Sequence, residues 1–324
     1  MAFRAGSTQR ELFGAFLASP PHNQTLTEVE RLIDWKVLRA IMAETYKDAA
    51  KGGRPGFDPV LMFKLLLLEQ WYGLSDVRVV EEAADRLSFR SFLGIGTGDR
   101  VPDDSSLVRF RKRLLEADLL DALYAEVIIQ MNEHGLGIAP GSMQIVDATL
   151  IKAAPAPPSK GTPEEERIDP DADFTVKNGK PHYGYKLHLA QDRETGLVTG
   201  HTTTAASVHD SQVFEELIDG SEPAEVYADK AYDSRENRRV CRRLGARPRL
   251  MRRARPGKPL SDYHQRENRR MGRVRSFIEG TNATLKRFMR CGRAVYIGIE
   301  KVHLQMTFGV LAYNLRRYVA LSQG

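Results

Sequence analysis

The stretch SMQIVDATLIKA, residues 142–153, decides the fold, because the hydrophobic pattern of the chain changes there. Apolar and β-branched residues alternate along it, which is typical of a strand with one face in a core. The segments before it have apolar residues at helical spacing, and the segments after it alternate between strand-like and helix-like patterns. We therefore predict an all-α domain over residues 1–138 and an α/β domain with a mixed sheet over residues 139–324.

Capping residues predict where the helices of the first domain begin and end. Asp58 stands before a proline, a typical helix start, and PVLMFKLLLLEQWYG closes at Gly73. Ser75 is predicted to cap DVRVVEEAADRL, and Ser105 or Ser106 to cap LVRFRKRLL. The run LLDALYAEVIIQMNEHG is also apolar at helical spacing. We expect these short helices to form a bundle-like domain with a role in DNA binding or assembly.

The segments after residue 153 predict the rest of the sheet. The proline-rich and acidic residues 153–173 are expected to form a long mobile loop. GYKLHLAQD and LVTGHTTTA flank ETG, which indicates a β-hairpin. QVFEELIDG predicts a helix, AEVYAD a strand, SRENRRVCRRLG a helix and RPRLMRR a strand, and two long helices close the chain. This order predicts a mixed sheet with helices packed on it.

Composition indicates a globular protein with no membrane segment. Of the 324 residues, 42% are hydrophobic and 28% are charged. The longest apolar run, residues 60–68, is interrupted by Lys64 and is much shorter than the roughly 20 residues that span a bilayer. The amino terminus has no apolar signal core. The two cysteines, Cys241 and Cys291, have no metal-ligand spacing and no disulfide framework, so we expect a cytoplasmic protein.

Positive charge is concentrated in residues 235–293, which contain 20 Lys and Arg against 4 Asp and Glu. The whole chain is only +6, so the remainder is net negative. Clustered arginine indicates a polyanionic partner. The run RRVCRRLGARPRLMRRARPGK is the strongest nucleic-acid signal and contains three candidate DNA contacts, Arg252, Arg253 and Arg255. About six phosphate contacts there would make DNA binding steeply dependent on salt.

Three acids stand where a sheet and a packed helix would present them together. Asp147 lies inside the first predicted strand, Asp229 follows the apolar run of a later strand, and Glu279 is the one acid in the basic stretch RSFIEGTNATLKRF, residues 275–288. A carboxylate in an apolar strand is costly unless it is paired or binds a metal, and each acid alone is compatible with a structural role. Together, three carboxylates can hold two divalent cations about 4 Å apart, which suits in-line displacement at phosphorus. Oxygen ligands favour magnesium or manganese over zinc.

The helix that contains Glu279 brings further polar residues to the same face. Arg275, Glu279, Asn282 and Lys286 follow one another at spacings of four, three and four residues, so they share one side of a helix. Arg275, Asn282 and Lys286 are therefore candidate DNA contacts beside the acid. The alternative is a surface ion pair between Arg275 and Glu279, worth about a few tenths of a kcal/mol.

The second acid could be Asp210 or Asp229. Asp210 precedes a predicted helix, where an aspartate commonly caps backbone N–H groups. Asp229 ends an apolar strand, where no cap is needed and an unpaired carboxylate is costly. These arguments favour Asp229.

Several motifs in the same order resemble bacterial insertion-sequence transposases of the DDE type, specifically the insertion-sequence-five group. VDATLIKAA (146–154) is similar to the group's first-aspartate strand, and VYADKAYDS (226–234) to its second-aspartate segment. Arg275, Glu279 and Lys286 match the Arg-Glu-Lys signature, although Gly272 stands where the group usually has a tyrosine. HYGYKLHLAQDRETGLVTGHTTTAASVHDSQ and FDPVLMFKLLLLEQWYGLSD also resemble this group. The resemblance covers roughly residues 30–320 and agrees with Asp229 as the second acid.

The resemblance implies an RNase H-like catalytic domain in which Asp147, Asp229 and Glu279 are the catalytic and metal-binding triad. It implies Mg²⁺, which Mn²⁺ can replace, and double-stranded DNA as the partner, with binding of terminal inverted repeats. Hydrolysis would free a 3′-hydroxyl that attacks target DNA, in a homodimer in the bacterial cytoplasm or nucleoid. His209 and Asp210 also resemble a recurrent pair, whose role the motif does not define. The alternatives are a non-catalytic DNA-binding derivative and a structure-specific nuclease on the same fold.

Overall fold

A computed structural model describes residues 23–43, 56–136, 138, 141–159, 161–218, 222–254 and 257–323. The chain divides into two compact units, one formed by Met1–His134 with Leu311–Gly324 and the other by Gly135–Val310. The first unit is helical in its described part and the second contains a mixed sheet, which confirms the predicted fold class. The residues from Leu311 onward, which we predicted to belong to the sheet domain, group with the helical unit. No helix in the described part of the chain is long and apolar enough to cross a membrane.

The helical unit follows the predicted pattern closely. Its described helices are α1 (Gln24–Leu32), α2 (Trp35–Met42), α3 (Pro59–Tyr72), α4 (Asp76–Asp85), α5 (Leu87–Leu93), α6 (Asp104–Glu116) and α7 (Leu120–Met131). Asp58 and Ser75 cap α3 and α4 as expected. The prediction of Ser105 or Ser106 as the cap of α6 is wrong, because that helix begins earlier and the carboxylate of Asp103 accepts the hydrogen bond from the Ser106 N–H (2.7 Å).

The carboxyl-terminal residues group with the helical unit because α3 is buried along almost its whole length. Apolar and polar residues of α3 from Pro59 to Gln70 are all buried, so the helix needs neighbours on every side. Trp71 donates its indole N–H to the backbone carbonyl of Ala312 (2.6 Å), and the Asn314 side-chain amide donates to the hydroxyl of Tyr124 (3.5 Å). The last helix therefore supplies part of the core of this unit.

The second unit contains one sheet whose central strand carries Asp147. Its strands are β1 (Met143–Lys152), β2 (Asp173–Lys177), β3 (Lys180–Asp192), β4 (Val198–Ala205), β5 (Glu225–Ala228) and β6 (Arg247–Leu250). The order is β2-β3-β1-β5-β6, with β4 also paired to β3. β3 is antiparallel to β1, β2 and β4, whereas β5 is parallel to β1 and β6 is parallel to β5. The further helices are α8 (Phe214–Ile218), α9 (Arg235–Arg243), α10 (Asp262–Phe288) and α11 (Ile299–Ser322).

The sheet has one strand more than we predicted. β2 and β3 form a hairpin around Asn178 and Gly179, whose φ angles are 52° and 72°. Asn-Gly is the sequence signal for such a two-residue turn, since both central positions need positive φ. The sequence of β2, DFTVK, does alternate between polar and apolar residues, but the run is only five residues long and its apolar residues, Phe174 and Val176, are exposed.

The segment predicted to be a mobile loop is held at defined points. Asp169 is fully buried, and its carboxylate accepts a hydrogen bond from the hydroxyl of Tyr185 (2.6 Å). Tyr183 donates to the backbone carbonyl of Asp169 (2.8 Å), and Asp171 accepts from the backbone N–H of Ile299 at the start of α11 (2.8 Å). The acids in this stretch therefore anchor the segment to β3 and α11.

The alternation of β1 sends successive residues to opposite faces of the sheet. Val146 is in register with Ala190 and Ala228, and all three are buried in an apolar core with residues of α8 and α9. Its successor Asp147 therefore points to the other face, where α10 packs against β1. The strand pattern that predicts the fold also brings Asp147 to the helix that contains Glu279.

Candidate active site

Asp147 on β1 and Asp229, the residue directly after β5, follow matching positions of two neighbouring parallel strands. Val146 is in register with Ala228, and each aspartate is the next residue in the chain. The two charges are close enough for Asp229 to raise the pKa of Asp147. The carboxylate of Asp229 accepts a hydrogen bond from the Lys230 N–H and caps a short 3-10 turn, so our expectation that no cap is needed there is wrong. The structure does bring these two acids together.

Two side chains of α10 hold the carboxylate of Asp147. Arg275 donates from Nη2 to Oδ1 (2.9 Å), and Asn282 donates from Nδ2 to Oδ2 (3.1 Å). These residues are two helical turns apart and share a face, as their spacing predicts. Burial raises the pKa of Asp147, while the Arg275 guanidinium opposes this effect. The Arg275 and Asp147 side chains are 13% and 18% exposed, so this ion pair is largely removed from water.

Glu279 lies on the same helix as Arg275 but is exposed to solvent. The surface ion pair between Arg275 and Glu279, considered above as the alternative, is not formed, because Arg275 pairs with Asp147. Within the described residues, no three His, Cys, Asp or Glu side chains are gathered closely enough to hold a metal ion. Asp147, Asp229 and Glu279 therefore do not form a closed cluster in this conformation.

Buried polar atoms without hydrogen-bond partners surround Asp147. Asn282 Oδ1, Arg275 Nε and the hydroxyl of Tyr232 are buried and accept or donate no hydrogen bond within the described part of the chain. Burial has the largest effect in raising the pKa of Tyr232, and the charges of Asp210, Asp147 and Asp229 raise it further. An unpartnered buried polar atom is costly, and an amide oxygen beside two carboxylates is a donor set that suits a hard divalent cation. The residues present therefore fit such an ion.

Lys286 is near the same carboxylate. Partial desolvation lowers the pKa of Lys286, the charge of Lys177 lowers it further, and the carboxylate of Asp147 raises it. Arg275, Asn282 and Lys286 thus interact with Asp147 from one helix.

The arginine-rich run has less free charge than its composition suggests. Arg252 and Arg253 are exposed and make no side-chain ion pair within the described residues, whereas Arg255 lies outside them. Asn268 of α10 exchanges two hydrogen bonds with the backbone of Arg252 (2.9 Å each), which fixes this segment on the helix. Four other arginines of this region pair with acids: Arg238 with Asp233, Arg239 with Glu236, Arg243 with Glu215, and Arg249 with Glu225.

Asp210 does not have the capping role that we predicted for it. His209 caps the short 3-10 turn Asp210–Gln212 through its side chain, and Asp210 instead forms an ion pair with Lys186 of β3 (2.7 Å). Lys186 also donates to the carbonyl of Val208 (2.7 Å). The partner is 24 residues away in sequence, so local capping patterns could not identify it.

A mixed sheet with one carboxylate on a central strand and a second directly after the adjacent parallel strand, beside a basic helix, is an arrangement typical of RNase H-like domains that act on nucleic acids. Residues 139–315 match the family model described as Transposase DDE domain, and residues 15–113 match the one described as Transposase domain (DUF772). The chain belongs to the Transposase DDE domain family. It is a DDE-type DNA transposase with an RNase H-like catalytic domain, and DNA is its partner. Domains of this family generally use divalent metal ions.

The chain is also similar to a solved structure described as the cryo-EM structure of a piggyBac transposase synaptic complex with hairpin DNA. The two chains are 11% identical and superpose with a TM-score of 0.44, over 92% of this chain and 74% of that chain.

Proposed function

We propose that this transposase belongs to the insertion-sequence-five group, binds the terminal inverted repeats of an insertion sequence, cleaves its ends and joins the freed 3′-hydroxyl to target DNA. The observation that carries this proposal is the position of Asp147 on β1 beside Asp229, which directly follows the adjacent parallel strand β5, with Asp147 held by two residues of α10. Phosphoryl transfer depends mainly on positioning and on stabilising charge, and a fixed pair of carboxylates can provide both.

Asp147, Asp229 and Glu279 would hold Mg²⁺, which Mn²⁺ can replace. When bound, such ions activate the attacking oxygen and stabilise the leaving oxygen of an in-line displacement. Burial raises the pKa of Asp147, the Arg275 guanidinium opposes this rise and so favours the ionised carboxylate, and Asn282 donates a hydrogen bond that orients it. Glu279 is exposed one turn after Arg275, where it can reach toward a nucleic acid lying on α10.

The DNA backbone would lie along the basic side of this site. Lys286 is close to Asp147, and Arg252 and Arg253 are exposed beside α10. We include Arg275 and Asn282 among the residues near the scissile phosphate, because both already contact Asp147. We further propose that the protein works as a homodimer in the bacterial cytoplasm, since cutting and joining two ends together needs two active sites.

The test uses purified protein, DNA carrying the ends of its own element, and Mg²⁺. We expect nicked or broken ends and joined strands from the wild type, and no cleavage from Asp147→Asn, Asp229→Asn or Glu279→Gln. DNA binding by these variants should remain close to that of the wild type, because each loses a metal ligand and not a phosphate contact. Glu300→Gln, a change at an exposed acid of α11, is the matched control and should cleave normally.

Four results would contradict the proposal. Robust cleavage by one of the three variants would remove that residue from the site. Cleavage without strand joining and without preference for the inverted repeat would favour a structure-specific nuclease, and binding without cleavage would favour a non-catalytic derivative. A cleavage-competent complex that stays monomeric by mass on DNA would contradict the homodimer.

A further inference from the structure

The β2–β3 hairpin presents two lysines that form no ion pair with any residue that the structure describes. Lys177 and Lys180 are directly opposite each other on either side of the Asn178–Gly179 turn, and both are exposed. Like charges at directly opposed positions of a strand pair are destabilising. No Asp or Glu in the described part of the chain forms an ion pair with either lysine, and the acid of β2, Asp173, pairs with Arg167 (3.6 Å).

The base of the hairpin is held in one position. Tyr183 accepts at its carbonyl a hydrogen bond from the Ala153 N–H (3.1 Å), and its ring packs against Phe174 at a centroid distance of 4.9 Å. The next residue, Gly184, has a φ of 147°, and a Cβ there would lie 2.2 Å from the carbonyl oxygen of Ile151. The hairpin therefore approaches the end of β1 more closely than a side chain would allow, and its orientation follows from that contact.

The end of α10 and the chain that follows it meet the same part of β1. The Lys152 N–H donates to the carbonyl of Gly292 (3.2 Å), and Lys152 forms an isolated bridge with Arg293. A Cβ on Gly292 would be 3.3 Å from the carbonyl of Lys286, so Lys286 is adjacent to this contact. The hairpin and Lys286 are thus brought together by the last residues of β1.

The positive charge of the hairpin residue Lys177 acts on Lys286. The nearby Lys177 lowers the pKa of Lys286, in addition to the effect of desolvation, while Asp147 raises it. Lys286 also forms no ion pair within the described residues. Lys177 and Lys286 are therefore near each other, Lys180 is opposite Lys177, and Lys286 is also near Asp147. No Asp or Glu in the described part of the chain forms an ion pair with these three lysines, an arrangement that an anion would stabilise.

We propose that Lys177 and Lys180 at the hairpin tip, together with Lys286, bind the phosphate backbone of the DNA strand that enters the Asp147 site. This inference rests on the proposed function, because it names further contacts to the same DNA. Lysine is a compact charge suited to phosphate, and two lysines on a fixed hairpin lose little freedom on binding. The exposed side chains of Phe174 (41%) and Val176 (71%) are on β2 of the same hairpin.

Lys177→Glu distinguishes a DNA contact from a structural role. The new carboxylate would be opposite Lys180 and near Lys286, so repulsion is replaced by attraction, and the melting temperature of the DNA-free protein should stay the same or rise. DNA affinity should fall, because a phosphate contact becomes a repulsive one. In the double variant Lys177→Ala/Lys180→Ala, the slope of log affinity against log salt should be shallower by about two, at about one unit per lost contact.

The controls separate this inference from the proposed function. Lys177→Arg keeps the charge at the hairpin tip and should retain both the DNA affinity and the salt slope of the wild type. An unchanged affinity and slope in the Lys177 variants, with a cleaving wild type, overturns the hairpin contact alone. Parallel loss of melting temperature and DNA affinity also overturns it, because the hairpin would then be structural. A wild type that neither binds nor cleaves its element ends overturns the proposed function as well.

Discussion

The ion pair between Asp147 and Arg275 should be one of the strongest pairwise interactions in the catalytic unit. The two side chains are 18% and 13% exposed and their atoms are 2.9 Å apart. Removing one partner of a buried ion pair costs about 3–5 kcal/mol, because the remaining charge is left without compensation. Some exposure remains and Asn282 still donates to Asp147, so we expect Arg275→Ala to lower the free energy of unfolding by about 2 kcal/mol.

A double-mutant cycle with Asp147→Asn measures the interaction itself. Asparagine has nearly the shape of aspartate but no charge, so Arg275→Ala should cost less stability in the Asp147→Asn background than in the wild type. Urea unfolding of the four proteins without metal should give a coupling energy of about 2 kcal/mol. Arg275→Lys keeps the charge but not the planar guanidinium, and should retain part of the coupling.

Repeating the unfolding measurements with Mg²⁺ connects this ion pair to the proposed chemistry. A divalent cation held by Asp147 supplies the positive charge that Arg275→Ala removes, so Mg²⁺ should stabilise this variant more than it stabilises the wild type. A coupling energy below about 0.5 kcal/mol, the value of an ordinary surface ion pair, would refute the reasoning that Arg275 compensates a buried charge.

Three further predictions follow from other parts of the structure. Asp210→Asn should lower the free energy of unfolding by about 1 kcal/mol, through loss of the half-buried ion pair with Lys186, yet retain measurable cleavage; an inactive but folded variant would make Asp210 part of the site. Neutralising Arg252, Arg253 and Arg255 together should reduce the slope of log affinity against log salt by about three, and an unchanged slope would mean that these arginines do not meet DNA. Gly184→Ala should lower the melting temperature sharply or prevent folding, because its Cβ would lie 2.2 Å from a backbone carbonyl, and a normal melting temperature would show that β1 and β3 can separate there.

The sequence predicts most of the fold because its strongest signals are local. Caps and helical spacing identify most of the described helices of the first unit, and alternation identifies β1, β3 and β4. What it misses depends on contacts between distant residues. β2 is only five residues long and is a strand through its pairing with β3, and Asp169 anchors the segment predicted to be a loop because Tyr185 of β3 donates a hydrogen bond to it. The ion pair of Asp210 with Lys186 has the same cause, since it joins two segments across the sheet.

In the candidate site, the spacing of residues along α10 does not determine which acid Arg275 pairs with, because its partner is on the sheet. Arg275 has two acids within reach in principle, Glu279 one turn along its own helix and Asp147 on β1, and the spacing alone does not choose between them. The structure pairs Arg275 with Asp147, whose burial strengthens the attraction because a medium of low dielectric screens it less. Glu279 consequently forms no ion pair within the described residues, on a helix whose charged side chains are mostly basic. An exposed carboxylate without an ion-pair partner among the described residues, on the helix that also holds Asp147, is available as the third ligand of the proposed metal site. If Arg275 had paired with Glu279 instead, Asp147 would be buried without compensation, and the third acid would already be neutralised.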